Sequence, residues 1–275
     1  MYCEYYGFKE KPFNVTSDPA FFFLSRKHKD AIACMFYGIK ERKGIIAITG
    51  EIGTGKTTVC RTLLSKIDKT VKTALILNPC FSELQLLELI IRDFGIQPKK
   101  KTRLDLISEL NRFLIDESTR GNTAAIIIDE AQNLTPRQLE QIRLLSNLET
   151  DKEKLLQIIL VGQPELQEKL ELRELRQVKQ RIMVNFHIEP LDRDEIKGYI
   201  KHRISVALPE NNKNIEFTER AFREIYNFSA GTPRLINLTC DRALLMGFLK
   251  ETNTICETIV QDCIKDINLK NEHNL

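Results

Sequence analysis

Between residues 44 and 188, short runs of β-branched and other apolar residues alternate with stretches in which apolar side chains recur every three or four positions. The short runs, at 45–49, 74–78, 124–128, 157–161 and 183–188, predict strands. The stretches at 57–67, 82–94, 104–117 and 136–146 predict amphipathic helices. Ala-Ala-Ile-Ile-Ile at 124–128 is apolar at every position, as a parallel strand buried on both faces is. Strand–helix alternation of this kind predicts a doubly wound α/β sheet. Thr135 with Gln138, and Asp192 with Glu195, have the spacing of helix-starting capping boxes. After residue 190 the strand pattern stops, and helices are predicted at 193–207, 219–228, 233–249 and 256–267, with turns at 209–214 and 231–233. The polar tail 268–275 is expected to fray.

Ahead of the first strand, helical periodicity covers 27–40. Ten of the 20 Phe and Tyr residues fall in the first 37 positions. A segment that apolar must pack on something, and Pro12, Asp18 and Pro19 predict an irregular clasp rather than a helix. The expected organisation is therefore a clasp and first helix (1–43), an α/β core (44–190) and a helical domain (191–275).

Composition narrows the classes. The 275 residues are 42% hydrophobic and 29% charged, which excludes a wholly disordered chain. A net charge of +3 argues against a protein that grips nucleic acid over its whole surface, though not against a local basic patch. No run approaches the roughly 18–20 apolar residues needed to span a bilayer, and the first residues lack the pattern of a signal peptide. Seven cysteines without a Cys-x-x-Cys pair predict reduced, structural thiols in a cytoplasmic protein.

The chemistry is concentrated in a few motifs. Gly50-Glu51-Ile52-Gly53-Thr54-Gly55-Lys56-Thr57 is a complete phosphate-binding loop between a predicted strand and a predicted helix, with Thr58 following in the helix. Its glycines let backbone N–H groups turn inward toward phosphate oxygens. Lys56 offers a point charge to the β- and γ-phosphates, and the Thr57 hydroxyl is a ligand for Mg²⁺. Asp129-Glu130 ends the apolar run 124–128 at the edge where α/β sheets bind ligands. Asp129 is the candidate for the Mg²⁺ shell and Glu130 for orienting or deprotonating the attacking water.

Weaker signals surround these. Gln163, after the strand 157–161, suits a sensor between the acids and the γ-phosphate, or a simple turn. Arg173, Arg176, Lys179 and Arg181 precede the last strand of the core. Arg181 and then Arg176 are candidates for a finger reaching a neighbouring subunit's nucleotide; a solvated basic helix is the plainer reading. Arg234 follows Pro233 at a predicted helix start, where a cation opposes the helix dipole, so its placement leans toward function. The run Lys-Lys-Lys-Thr-Arg at 99–103 has no interleaved aromatic and reads more readily as a solvated loop than as a nucleic-acid contact. The four histidines are too dispersed for a metal site.

In this order, with a helical domain behind them, the motifs resemble those of the AAA+ ATPases. Tyr5-Tyr6-Gly7-Phe8, Lys11-Pro12-Phe13, Asp18-Pro19, Phe22 and His28 narrow the resemblance to the general secretion pathway protein A type. Ile128-Asp129-Glu130-Ala131-Gln132-Asn133-Leu134, Val161-Gly162-Gln163-Pro164-Glu165-Leu166, Gln180-Arg181-Ile182 and Gly231-Thr232-Pro233-Arg234 continue it, over about residues 2–267. ATPases of exopolysaccharide and exosortase systems share the pattern, and the TniB/TnsC transposition regulators share it more distantly.

The resemblance implies a cytoplasmic, oligomeric, ATP- and Mg²⁺-using enzyme, with nucleotide between a parallel-sheet core and a helical lid. Lys56 and Thr57 would bind phosphate and Mg²⁺, Asp129 and Glu130 would do Walker B work, and Gln163 and Arg234 would act as sensors. An arginine of the next subunit, in a ring or filament, would complete the site. Fuller family members carry a transmembrane segment and a peptidoglycan-binding domain; this sequence shows neither, which weighs against a direct cell-wall role. The expected function is an assembly or regulatory ATPase of an envelope system, working on a protein partner. The alternative is a transposition-type ATPase that forms ATP-dependent oligomers on double-stranded DNA. A small-molecule kinase fits Gln163, Arg181 and Arg234 less well than either.

Overall fold

The computed structural model describes residues 1–14, 18–151, 153–209 and 215–272, with 270–272 as backbone only. The chain starts with a one-turn helix α1 (Tyr2–Tyr6), a 3₁₀ turn at Pro19–Phe21, and helix α2 (Arg26–Lys40). Alternation follows: β1 (Ile45–Gly50), α3 (Lys56–Lys66), β2 (Val71–Ile76), α4 (Glu83–Asp93), α5 (Arg103–Thr119) and β3 (Thr123–Ile128). It continues through α6 (Pro136–Leu145), β4 (Leu156–Gly162), α7 (Pro164–Leu170), α8 (Arg176–Arg181) and β5 (Ile182–Ile188). Then come α9 (Arg193–Ala207), β6 (Glu216–Phe217), α10 (Glu219–Ser229), α11 (Pro233–Leu249), β7 (Thr254–Ile255) and α12 (Glu257–Glu272).

Contacts divide the chain into two compact units. One contains Arg26–Glu51 and Val59–Ile188. Its five strands are all parallel, in the order β2-β3-β4-β1-β5. Every residue of β1 and β4 is buried, as expected of central strands covered on both faces. In β5, at the edge, Met183, Asn185 and His187 are exposed while Ile182, Val184 and Phe186 are half-buried. Because all five strands run the same way, the turns after β1, β3 and β4 leave one edge of the sheet, and that edge carries the candidate chemistry.

The other unit contains Met1–Ser25, Ile52–Thr58 and Glu189–Leu275. Its core joins Tyr2, Tyr6, Phe8, Phe13 and Phe21 to apolar side chains of α9–α12 such as Ile200, Phe222, Leu244 and Val260. Three differences from the sequence pattern occur here. The first aromatic residues form a helical turn, because Tyr2 and Tyr6 stand on one face and are both buried, and Gly7 ends the turn at φ 72°. Strands do not stop at 190: β6 and β7 pair in parallel, Phe217 with Ile255, although each is only two residues long. The last helix continues to Glu272 rather than fraying from 268. Most of the expected turn at 209–214, and residues 273–275 of the expected tail, lie outside the described residues.

Both capping boxes read from the sequence are formed, Thr135 with Gln138 and Asp192 with Glu195, and Ser82 with Gln85 makes a third. The cysteines are all free. Burial holds the Cys240 thiol well above its ordinary range and pushes Cys263 up to about 11, so both behave as small hydrophobes.

Candidate active site

β1 runs out at Gly50, and the chain turns through 51–55 before α3 begins at Lys56. Two glycines make that turn. Gly53 lies at φ 82° and Gly55 at φ 91°, in the left-handed region that L side chains rarely adopt. Gly53 is also crowded: a Cβ there would stand 2.5 Å from Cβ of Arg234, in the same compact unit. The arginine expected to sense phosphate is therefore packed against the glycine-rich loop expected to bind it. Arg234 is exposed in the first turn of α11, directly after Pro233. Thr54 and Lys56 are buried, Lys56 to 7% exposure, while Gly53, Gly55, Thr57 and Thr58 are half-buried and Glu51 and Ile52 exposed.

At the end of β3, Asp129 is 1% exposed. Its N–H donates to the carbonyl of Ile76 on β2 (2.8 Å), and its Oδ1 accepts the N–H of Glu130 (2.9 Å). Glu130 itself adopts φ 52°, an uncommon conformation for a residue with a side chain, which turns the chain out of β3 into the short 3₁₀ turn Ala131–Asn133. There the carboxylate meets two amides. Gln132 Nε2 donates to Glu130 Oε2 at 2.5 Å, and Gln163 Nε2 donates to the same oxygen at 3.2 Å. The main-chain N–H of Gln163 in turn donates to Gln132 Oε1 (3.1 Å). Lys169, on α7, fixes the turn by donating to the carbonyls of Gln132 (2.5 Å) and Leu134 (2.8 Å).

The structure thus brings Asp129, Glu130 and Gln163 together at one edge, as their positions after adjacent strands require. It adds two residues outside the sequence-derived candidates, Gln132 and Lys169. Gln163 is the N-cap position of α7, yet its amide serves Glu130 and not the helix. Pro164 in the first helical position is the local signal that 162–166 begins a helix and is more than a turn.

The edge suits Mg²⁺. Among the described residues, no group of three or more His, Cys, Asp and Glu could hold a metal alone. Mg²⁺ ordinarily takes only one or two protein ligands and completes its shell with water and phosphate oxygens. A single buried Asp129 fits that habit.

The basic residues sort themselves. Arg176 and Arg181 stand exposed at the two ends of α8, and neither has an ion-pair partner among the described residues, whereas Lys179 is paired with Glu171 (2.6 Å). In the basic loop Lys101 faces Glu88 (3.9 Å) and Arg103 faces Glu83 (3.7 Å), leaving less charge uncompensated than the sequence suggests. His187 shares a hydrogen bond with the Thr49 hydroxyl (3.0 Å) near the ends of β5 and β1.

A family model described as an AAA domain matches residues 39–170. Over 256 residues, 93% of this chain, the sequence is 41% identical to General secretion pathway protein A of Aeromonas hydrophila, of which it covers 46%. An HTH-type transcriptional regulator of Methanocaldococcus jannaschii is 24% identical over 65% of the chain and 42% of the relative. The chain thus spans less than half the length of either relative. Among solved structures, the ORC2 protein of Aeropyrum pernix superposes with a TM-score of 0.66 at 17% identity, covering 94% of this chain and 72% of that one. The RuvB Holliday junction branch migration motor of Thermotoga maritima gives 0.57 at 16% identity, covering 88% and 68%. At these identities the likeness is one of fold.

Proposed function

The chain belongs to the AAA+ ATPases, and from that premise we propose that it binds ATP with Mg²⁺, hydrolyses it and works as an oligomer. It serves the assembly or regulation of a bacterial envelope system for secretion, pilus formation or polysaccharide export. It acts from the cytoplasmic side through a protein partner at the inner membrane. The 41% identity to General secretion pathway protein A supports the pathway. Among the described residues no helix is long and apolar enough to cross a membrane, so the reading routes any membrane contact of this segment through the partner.

The observation that carries the chemical reading is the hydrogen-bonded group Glu130–Gln132–Gln163 beside the buried Asp129. In this reading the backbone of residues 50–58 wraps the phosphates, and Lys56 adds its charge to the β- and γ-oxygens. Thr57 and Asp129 hold Mg²⁺, which neutralises phosphate charge when bound. Glu130 orients the attacking water and takes its proton, Gln163 reads the γ-phosphate from β4, and Arg234 reads it from the start of α11. Arg181 of a neighbouring copy stabilises the transition state, an effect of about 10³–10⁵ in rate for such fingers, with Arg176 the second choice. The division into 1–43, 44–190 and 191–275 belongs to this reading. Packing of the first 25 residues with α9–α12 supports treating the clasp as part of the lid.

Turnover and particle size, measured with and without double-stranded DNA at two salt concentrations, test it. Lys56→Ala is expected to lose nucleotide binding. Glu130→Gln should bind ATP yet turn over at least about a hundredfold more slowly. Near-normal hydrolysis by Glu130→Gln would remove that residue from the reaction. DNA should leave the rate unchanged. Salt-sensitive stimulation with filaments would instead favour the transposition-type reading, which the ion pairs of Lys101 and Arg103 do not favour.

A further inference from the structure

We propose that Gln132 is a positioning residue: its side-chain amide ties Glu130 to the main chain at the end of β4 and leaves Oε1 as the oxygen that accepts the proton of water. This deepens the reading of Glu130 as the base and rests on it. The backbone N–H of Gln163 can only donate, so the group facing it at 3.1 Å is the amide oxygen of Gln132. The amide is planar, and its NH₂ therefore points the other way, at Glu130 Oε2, 2.5 Å distant. Turning the amide over would set NH₂ against N–H and C=O against carboxylate, losing both bonds for two repulsive contacts. Its orientation is thus fixed by its neighbours.

The bridge is held from three sides. A Cβ at residue 162 would stand 2.9 Å from Gln132 Oε1, so glycine there keeps the space the amide occupies. Lys169 Nζ holds the Gln132 carbonyl. The left-handed turn at Glu130 brings the acid back over the 3₁₀ turn that carries Gln132. Both amides donate to the same carboxylate oxygen, Oε2. When Gln163 turns toward a ligand, Gln132 still holds that oxygen. The link to the Gln163 main chain also transmits any movement of the β4 end to the carboxylate.

Gln132→Glu tests the bridge directly, since it keeps an acceptor for the Gln163 N–H but sets a second carboxylate against Glu130. Its kcat should fall by about tenfold or more, because the second carboxylate repels Glu130 where the amide had donated to it. KM for ATP should stay within about twofold. Gln132→Leu keeps the bulk without either hydrogen bond, and its kcat should fall by about tenfold to a hundredfold at unchanged KM. A readout free of turnover accompanies these: Gln132→Leu leaves the Gln163 N–H without its acceptor and should lower Tm by about 2–4 °C.

Wild-type kcat in either Gln132→Glu or Gln132→Leu would overturn the proposal. If Gln132→Glu does not fold, the Leu variant alone decides. Glu130→Gln separates the two levels: full activity there sinks the catalytic reading, whereas an inactive Glu130→Gln beside fully active Gln132 variants sinks only the bridge.

Discussion

At Gly53 the difference between one hydrogen and one methyl group bears on two parts of the site. The residue sits at φ 82°, and a methyl group would meet Arg234 at 2.5 Å. Gly53→Ala is therefore expected to destabilise the protein by roughly 1–3 kcal/mol through backbone strain, and to weaken nucleotide binding as the loop and Arg234 move apart. Thermal unfolding and titration with a fluorescent nucleotide measure both effects. An alanine variant with parental affinity and stability would show that neither the contact nor the φ angle matters. At this scale the site is legible in the sequence wherever its meaning is local. The phosphate-binding loop and the acid pair are fixed by spacing within eight and two consecutive residues. Gln132 and Lys169 are not legible as site residues, because their roles come from contacts 31 and 37 positions away.

Elements follow the same logic. All five core strands are legible: β1, β3 and β4 because runs apolar on both faces have few other places to go, while half-buried β2 lies at 71–76, three residues ahead of where the pattern at 74–78 starts it. Capping chemistry is local too, and it makes the starts of α6 and α9 readable. At α6 the cap also ties down a neighbouring connection. Gln138 returns its Oε1 to the Thr135 N–H while its Nε2 donates to the Phe81 carbonyl between β2 and α4 (2.8 Å). Thr135→Ala is expected to cost about 1 kcal/mol, lowering Tm by about 2–4 °C for a chain of this size. Thr135→Ser should restore most of it. No change in Tm for the alanine variant would mean the cap is redundant. What escapes the pattern is short. A five-residue helix with three tyrosines and two strands of two residues each fall below any periodicity window, and only packing within their unit makes them regular.

For the molecule as a whole, sequence distance and spatial grouping diverge. The first 25 residues share a unit with Glu189–Leu275, while α2, which follows them immediately, belongs to the other. Arg203 is a main clamp. It is 6% exposed, donates to the carbonyls of Pro12 (2.6 Å) and Asn14 (2.9 Å), and lies over the rings of Phe21 and Tyr199. Arg203→Leu keeps apolar volume but leaves those carbonyls without their donor, at a cost of about 2–4 kcal/mol. Limited proteolysis should then cut within the first 25 residues at protease levels that spare the parent chain. Equal resistance would show that the aromatic contacts alone retain the segment.

The pairing of Tyr2 with Asp241 spans 239 positions, with Oη donating to Oδ1 at 2.5 Å. On a ribosome adding about 5–20 residues per second, the first partner emerges roughly 10–50 s before the second. Until α9–α12 have all followed, Tyr2, Tyr6, Phe8, Phe13 and Phe21 lack their full set of packing partners, and the strands of the other unit are made before those partners. The contact that joins these distant parts of the sequence in one core thus makes the nascent chain carry an exposed aromatic segment until its partners are made.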